Sequence, residues 1–204
     1  MAEYTPDLPD GYDLSKSYEY GVEVAAPPAA AAQPVWLPVR RAKDINPTMT
    51  PITQGAQTYD DLGSPNDDVS AWSFVVAFNA LVNRSRTTGE LVPELKLLRD
   101  RVGKTGADAT VLVRWFHKPA GGDAPDPDEA YQGLATVGWV RNQTGAEGTN
   151  EEAGITLTGK GPARRIPNPF EGWAPGTAGA PDDGGTAGAA ATTSTAPVDD
   201  TPED

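Results

Sequence analysis

The stretch AWSFVVAFNALVN (residues 71–83) decides the fold class. Trp72, Phe74, Val76, Phe78, Ala80 and Val82 recur at a period of two, so one face of an extended strand is continuously apolar. Val75, Ala77 and Leu81 make the other face partly apolar, which predicts a central strand covered on both sides. Upstream, Tyr18, Tyr20, Val22 and Val24 alternate with Glu19, Gly21 and Glu23, again the pattern of a half-buried strand. VWLPV (residues 35–39) is a short strand whose proline marks an edge or a bulge. Downstream, TVLVRWFH (residues 110–117), AYQGLATVGWVRN (residues 130–142) and AGITLTGKG (residues 153–161) carry three more. In AYQGLATVGWVRN, Tyr131, Ala135, Val137 and Trp139 share a face. One segment breaks the series: Leu91, Leu95, Leu98 and Val102 fall at helical spacing before Gly103. With Pro93 in its first turn, this predicts an amphipathic helix of about three turns facing the strands. Strands joined mostly by short links, with one helix among them, predict a mainly β protein: an antiparallel β-sandwich or barrel with one covering helix.

Charge divides the chain of 204 residues. Its 29 acidic and 16 basic side chains leave a net charge of −13, but residues 35–173 hold 15 bases against 17 acids and are nearly neutral. The acids in excess lie at the two ends. Residues 1–17 are acidic and proline-containing without periodicity and read as an arm. The last 31 residues (174–204) hold only Ala, Gly, Thr, Pro, Ser, Asp, Glu and Val, too little apolar surface to offset ordering, and are expected to form a flexible acidic tail. A single domain over residues 18–173 is expected between them. An excess of carboxylates disfavours tight nucleic-acid binding, which depends on cations meeting phosphates. It is compatible with a surface that DNA passes without sticking. The absence of cysteine excludes disulfides, thiolate metal sites and thiol nucleophiles. No apolar run reaches the ~18 residues of a membrane helix, and the acidic first residues differ from a secretion signal. A soluble protein made in the cytoplasm of the producing cell is expected.

Fragments that resemble catalytic or binding motifs fail on context. GKTG (residues 103–106) has Leu98 where a phosphate-binding loop needs glycine, and it follows a helix instead of a strand. Asp123, Asp126, Asp128 and Glu129 lack the spacing of a calcium loop and are interrupted by Pro125 and Pro127. His117, the sole histidine, has no G-x-S-x-G element to serve and is expected at a strand end facing solvent or an interface. No catalytic, cofactor-binding or metal-binding residue is therefore assigned.

Residues 40–70 call for a function of their own. They are polar, with Pro47, Pro51 and Pro65; TMTPITQ (residues 48–54) has some strand character but little to bury, and the segment is expected as a long loop, of a length that in compact domains is functional or disordered. Ile45, Met49, Ile52, Tyr59 and Leu62 are scattered through them without a period, so a partner surface is needed to bury them. Basic Arg40, Arg41 and Lys43 precede acidic Asp60, Asp61, Asp67 and Asp68, and opposite charges in one segment suit head-to-tail contacts between identical copies. These residues, with Ile52 and Tyr59, are the candidate subunit interface.

The order of the segments carries a resemblance. YDDLGSPNDDVSAWSF (residues 59–74) and LTGKGPARRIPNPF (residues 157–170), with ELVPELKLL, VRWFHKP and AYQGLATV between them, look like the major tail tube proteins of long-tailed phages that infect mycobacteria and related actinobacteria. The similarity runs over about residues 20–173. It implies a non-enzymatic β-sandwich subunit of the virion, assembled in the host cytoplasm as hexameric rings. Those rings stack into a tube around a tape-measure protein, with tail assembly chaperones and a tail terminator as further partners, and the lumen conducts DNA. It also implies that a long loop or hairpin reaches a neighbouring ring, a role for which residues 40–70 are the candidate. Some relatives add a C-terminal immunoglobulin-like domain, and this chain departs from them there, because 31 residues are too few for a sandwich of about 100. An alternative reading from another class is a surface carbohydrate-binding or adhesin-type β-sandwich, which needs exposed Trp115, Trp139 or Tyr131 as stacking platforms.

Overall fold

A computed structural model of the chain describes residues 14–28, 32–120, 123–142 and 148–173. The predicted tail and most of the N-terminal arm lie outside these residues. Eight strands form one antiparallel sheet. In chain order they are β1 (Tyr20–Ala25), β2 (Leu37–Pro38), β3 (Ala42–Gly55), β4 (Asp67–Leu81), β5 (Thr110–His117), β6 (Ala130–Arg141), β7 (Glu152–Gly159) and β8 (Arg164–Arg165), with helix α1 (Pro93–Arg99) between β4 and β5. Their spatial order is β2-β1-β5-β6-β7-β4-β3, and β8 is added against β6. The expected mainly β class with one helix is met.

The two ends of that order are consecutive in sequence. β2 and β3 are separated only by residues 39–41, and four extended steps span at most about 14 Å. The sheet therefore curls until its first and last strands meet at a corner, which gives it an inside and an outside. Inside are the alternate residues of five strands: Val22 and Val24 of β1, Phe74, Val76, Phe78 and Ala80 of β4, Val111, Val113 and Trp115 of β5, Ala135 of β6, and Ile155 and Leu157 of β7. Leu95 and Leu98 of α1 close this core. Phe74 fixes the closest packing. Its ring lies where a Cβ at Gly133 or Gly159 would stand, 2.5 and 2.6 Å from the nearest ring carbons, so β6 and β7 carry glycine there.

Three expectations about the elements need correction. The helix has two turns, not three; Leu91 precedes it, and Val102, expected to face the sheet, is in the turn beyond it and exposed. Gly103 adopts a left-handed φ of 80° and turns the chain away, so the helical spacing outlasts the helix. His117 ends β5 as expected, but it is turned away from open solvent. Its side chain is 16% exposed, its Nδ1 accepts the Asp126 backbone N–H at 3.0 Å, and its Nε2 lies 3.9 Å from Glu19.

The third correction is the largest. Residues 40–70 are not a loop but the greater part of a β-hairpin: β3 pairs with β4 along its whole length, from Ala42↔Ala80 to Gly55↔Asp67. The ladder satisfies the backbone donors and acceptors that an irregular segment would leave to water, and Thr48, Thr50, Ile52 and Thr53 supply β-branched side chains suited to it. The segment is polar because most of it has water on both faces, not because it lacks structure. Pro47 and Pro51 are tolerated because β3 is the last strand of the sheet, where a missing N–H can face outward.

Candidate subunit interface

The hairpin outgrows the sheet that supports it. β7 pairs with β4 only from Val75 to Leu81. Beyond that, the Thr50↔Ser73 to Gly55↔Asp67 pairs stand as a two-stranded ribbon with no third strand. In an antiparallel pair directly opposed residues share a face, so Met49↔Phe74, Pro51↔Trp72 and Thr53↔Val69 continue the core-facing side outward. A register shift between Ile52 and Thr53 leaves Ser70 as the extra residue, and its Oγ donates to the Ile52 carbonyl at 2.9 Å. That bulge keeps Val69 on the Trp72 side instead of the opposite one. The ribbon thus presents Pro51, Trp72 and Val69 on one face and Ile52 and Ala71 on the other, and Trp72 is half exposed. Trp72 was expected inside with Phe74, but β7 ends before reaching it.

Residues 56–66 close the ribbon with a single 3-10 turn, Tyr59–Asp61. Asp61 builds this tip. Its carboxylate accepts the Thr58 backbone N–H at 2.6 Å, the Thr58 hydroxyl at 2.9 Å and the Asn66 amide. Those donors hold the Asp61 carboxyl below the usual range, the Thr58 backbone contact contributing most. Leu62 follows with a left-handed φ of 50°, strained for a branched side chain. Tyr59 and Leu62 are 102% and 93% exposed, so the tip offers two large apolar side chains entirely to water.

The nine candidate residues fall into two groups at opposite ends of β3. Ile52, Tyr59, Asp60, Asp61, Asp67 and Asp68 belong to the ribbon and its tip. Arg40 and Arg41 stand at the corner between β2 and β3, and Lys43 follows Ala42 at the start of β3. Not all of them are available for a partner. Lys43 Nζ lies 2.5 Å from Glu152 Oε2, which raises the lysine's pKa, and Asp61 is committed to its own turn.

The corner holds a cleft of about 490 Å³ between β1 and the start of β3, lined by Tyr20, Arg40, Arg41, Ile45, Lys118 and Trp173 among others. Residues 166–173 bring Trp173 there. The Asn168 amide donates to the His117 and Asp126 carbonyls at 2.8 Å each, and the Trp173 indole N–H donates to the Pro119 carbonyl at 2.9 Å. Lys118 Nζ sits 4.0 Å from the centroid of the Trp173 ring. Burial pushes the Lys118 pKa down, with Arg40 adding like-charge repulsion and Glu23 opposing the fall. Glu23 itself is held 2.5 Å from Arg114. Sequence reading missed Lys118 and Trp173, because nothing local distinguishes a lysine after a strand or a tryptophan before an acidic segment.

Among the described residues, no three His, Asp or Glu side chains stand together as they would around a metal ion, and no helix is long and apolar enough to cross a membrane. Trp115, the first stacking platform named for a carbohydrate module, is 3% exposed and lies between Phe74 and Tyr131, at ring-centroid distances of 5.2 and 5.7 Å. Tyr131 and Trp139 are partly buried against the core, the latter under Arg99. Comparison with protein-family models found no matching family, and comparison with curated proteins found no significant match.

Proposed function

We propose that this chain is a non-catalytic, self-assembling structural subunit of a phage tail tube, stacking as hexameric rings around a tape-measure protein and forming a conduit for DNA in the finished virion. The observation that carries the reading is the ribbon. Isolated two-stranded hairpins are marginal in water, and this one leaves the body with Trp72, Val69, Ile52, Tyr59 and Leu62 exposed. Surface of that kind is stabilised when a second molecule covers it. The resemblance of residues 20–173 to tail tube proteins supplies the kind of assembly, and the open outer edges of β2 and β3 supply places where copies can join. The net charge of −13, carried mainly by the two ends of the chain, is compatible with a conduit that must not hold DNA.

Negative-stain microscopy of the purified full-length protein over a range of concentrations tests the reading. Hollow rings or tubes are the expected outcome. A protein that remains monomeric at millimolar concentration, with its ribbon amides exchanging freely, removes it.

A further inference from the structure

The proposed self-assembly requires an acceptor for the ribbon, and the corner cleft has the chemistry for it. We infer that the tip of one copy's ribbon, with Tyr59, Asp60 and Leu62 leading, docks into the cleft of a second copy lined by Arg40, Arg41 and Lys118. The inference rests on the self-assembly reading and adds to it the identity of both contacting surfaces.

Charge is the first argument. The tip and its approach carry Asp60, Asp67 and Asp68, whose carboxylates make no ion pair among the described residues. The cleft carries Arg40 and Lys118, likewise without an ion pair among the described residues, in a chain whose overall charge is −13. Lys118 is half-buried, with Arg40 as a like charge and Glu23 as an opposite one, and since Glu23 is already held by Arg114, an incoming carboxylate meets a net positive cleft. Size and polarity agree. A cleft of about 490 Å³ falls within the range of roughly 300–1,000 Å³ that holds drug-sized ligands. Its apolar wall of Tyr20, Ile45 and Trp173 suits the two exposed side chains of the tip.

Geometry excludes the same contact within one molecule. The cleft lies at the start of β3 and the tip beyond its end. Strand rise of about 3.4 Å per residue over Ala42–Gly55 separates them by roughly 40 Å. A donor and an acceptor at opposite ends of one rod can meet only between copies, head to tail, and the contact then repeats. The same length sets the spacing between successive copies at roughly 40 Å. The structure also refines which charges act: Lys43 and Asp61, engaged within their own copy, are outside the contact.

The absence of cysteine makes a clean test possible. Full-length Arg40→Cys and Asp60→Cys proteins are mixed under assembly conditions and treated with a short bismaleimide. A covalent heterodimer, absent from either protein alone and suppressed by Lys118→Glu, is the expected result. Arg40→Cys/Asp60→Cys in one chain should give a ladder of linked copies. Assembly into tubes without this link overturns the cleft assignment and leaves the self-assembly reading standing, whereas neither link nor assembly, with the parent protein also failing to assemble, removes both. An Arg40→Cys/Asp182→Cys protein that links within one chain and blocks the heterodimer assigns the cleft to the chain's own acidic C-terminal segment and also overturns the inference.

Discussion

Strand β4 has a buried side chain at every second position from Phe74 to Ala80, whereas no residue from Asp67 to Trp72 is buried. Both halves belong to one ladder, paired with the same strand, and both carry apolar residues on the side that faces the core. The difference is what lies beside and across them. Val75–Leu81 has β7 as a second neighbour and the interior opposite, while the outer half has water. A β-strand's sequence pattern therefore specifies a face to be covered, and not the molecule that covers it. In the inner half the cover is the chain itself. In the outer half the proposed assembly assigns it to a second copy.

Substitutions separate the two halves most sharply in the body. Leu95→Asp places an uncompensated charge under the sheet at a fully enclosed position, and the expected outcome is insoluble or unfolded protein, read by expression and circular dichroism. Phe78→Ala should cost about 3–5 kcal/mol in denaturant unfolding, as for other large core aromatics. On the ribbon, Trp72→Ala should change unfolding free energy by less than about 0.5 kcal/mol, as surface substitutions do, yet lower the extent of assembly seen by light scattering. Equal losses of stability at Phe78 and Trp72 would dissolve the distinction between the halves.

Charge reversal on the ribbon acts on assembly alone. Asp60→Lys with Asp68→Lys should leave the melting temperature within a few degrees of the parent and abolish tube growth under the microscope. Tube growth in the parent should also slow as salt rises, since exposed charges are screened beyond a Debye length of about 8 Å at 0.15 M. Hydrogen exchange gives the same contrast without mutation. Ribbon amides should exchange fast in the free subunit, be protected in tubes, and leave the Val75–Leu81 amides slow in both states.

The smallest effect concerns the tip. Asp61 has a folded-state pKa below its unfolded value, so the stability it supplies is fully present above the ordinary aspartate range and disappears as pH falls through the lower folded value. Acidification below about pH 4 should therefore loosen residues 58–66, visible as local line broadening in NMR, before the body changes. Asp61→Asn should remove that pH step.

Sequence alone determined the strands and their alternation. Phe74, Val76, Phe78 and Ala80 are legible as one face because side-chain direction along a strand is a local property with a period of two. The helix was legible for the same reason, and its C-terminal overreach to Val102 came from a spacing that continues past a left-handed Gly103. The backbone of residues 40–68 was less legible: TMTPITQ (residues 48–54) has some strand character, but the outer half of β3 has water on both faces and no apolar alternation to read. Only the tertiary structure decided that Trp72 lies outside and Phe74 inside, two positions apart on one stripe, because the end of β7 sets the boundary. It alone brought Lys118 and Trp173 to Arg40, the latter across more than 130 residues of chain, through the curling of the sheet that joins its first and last strands. Burial and proximity are set by elements distant in sequence, and no local pattern encodes them.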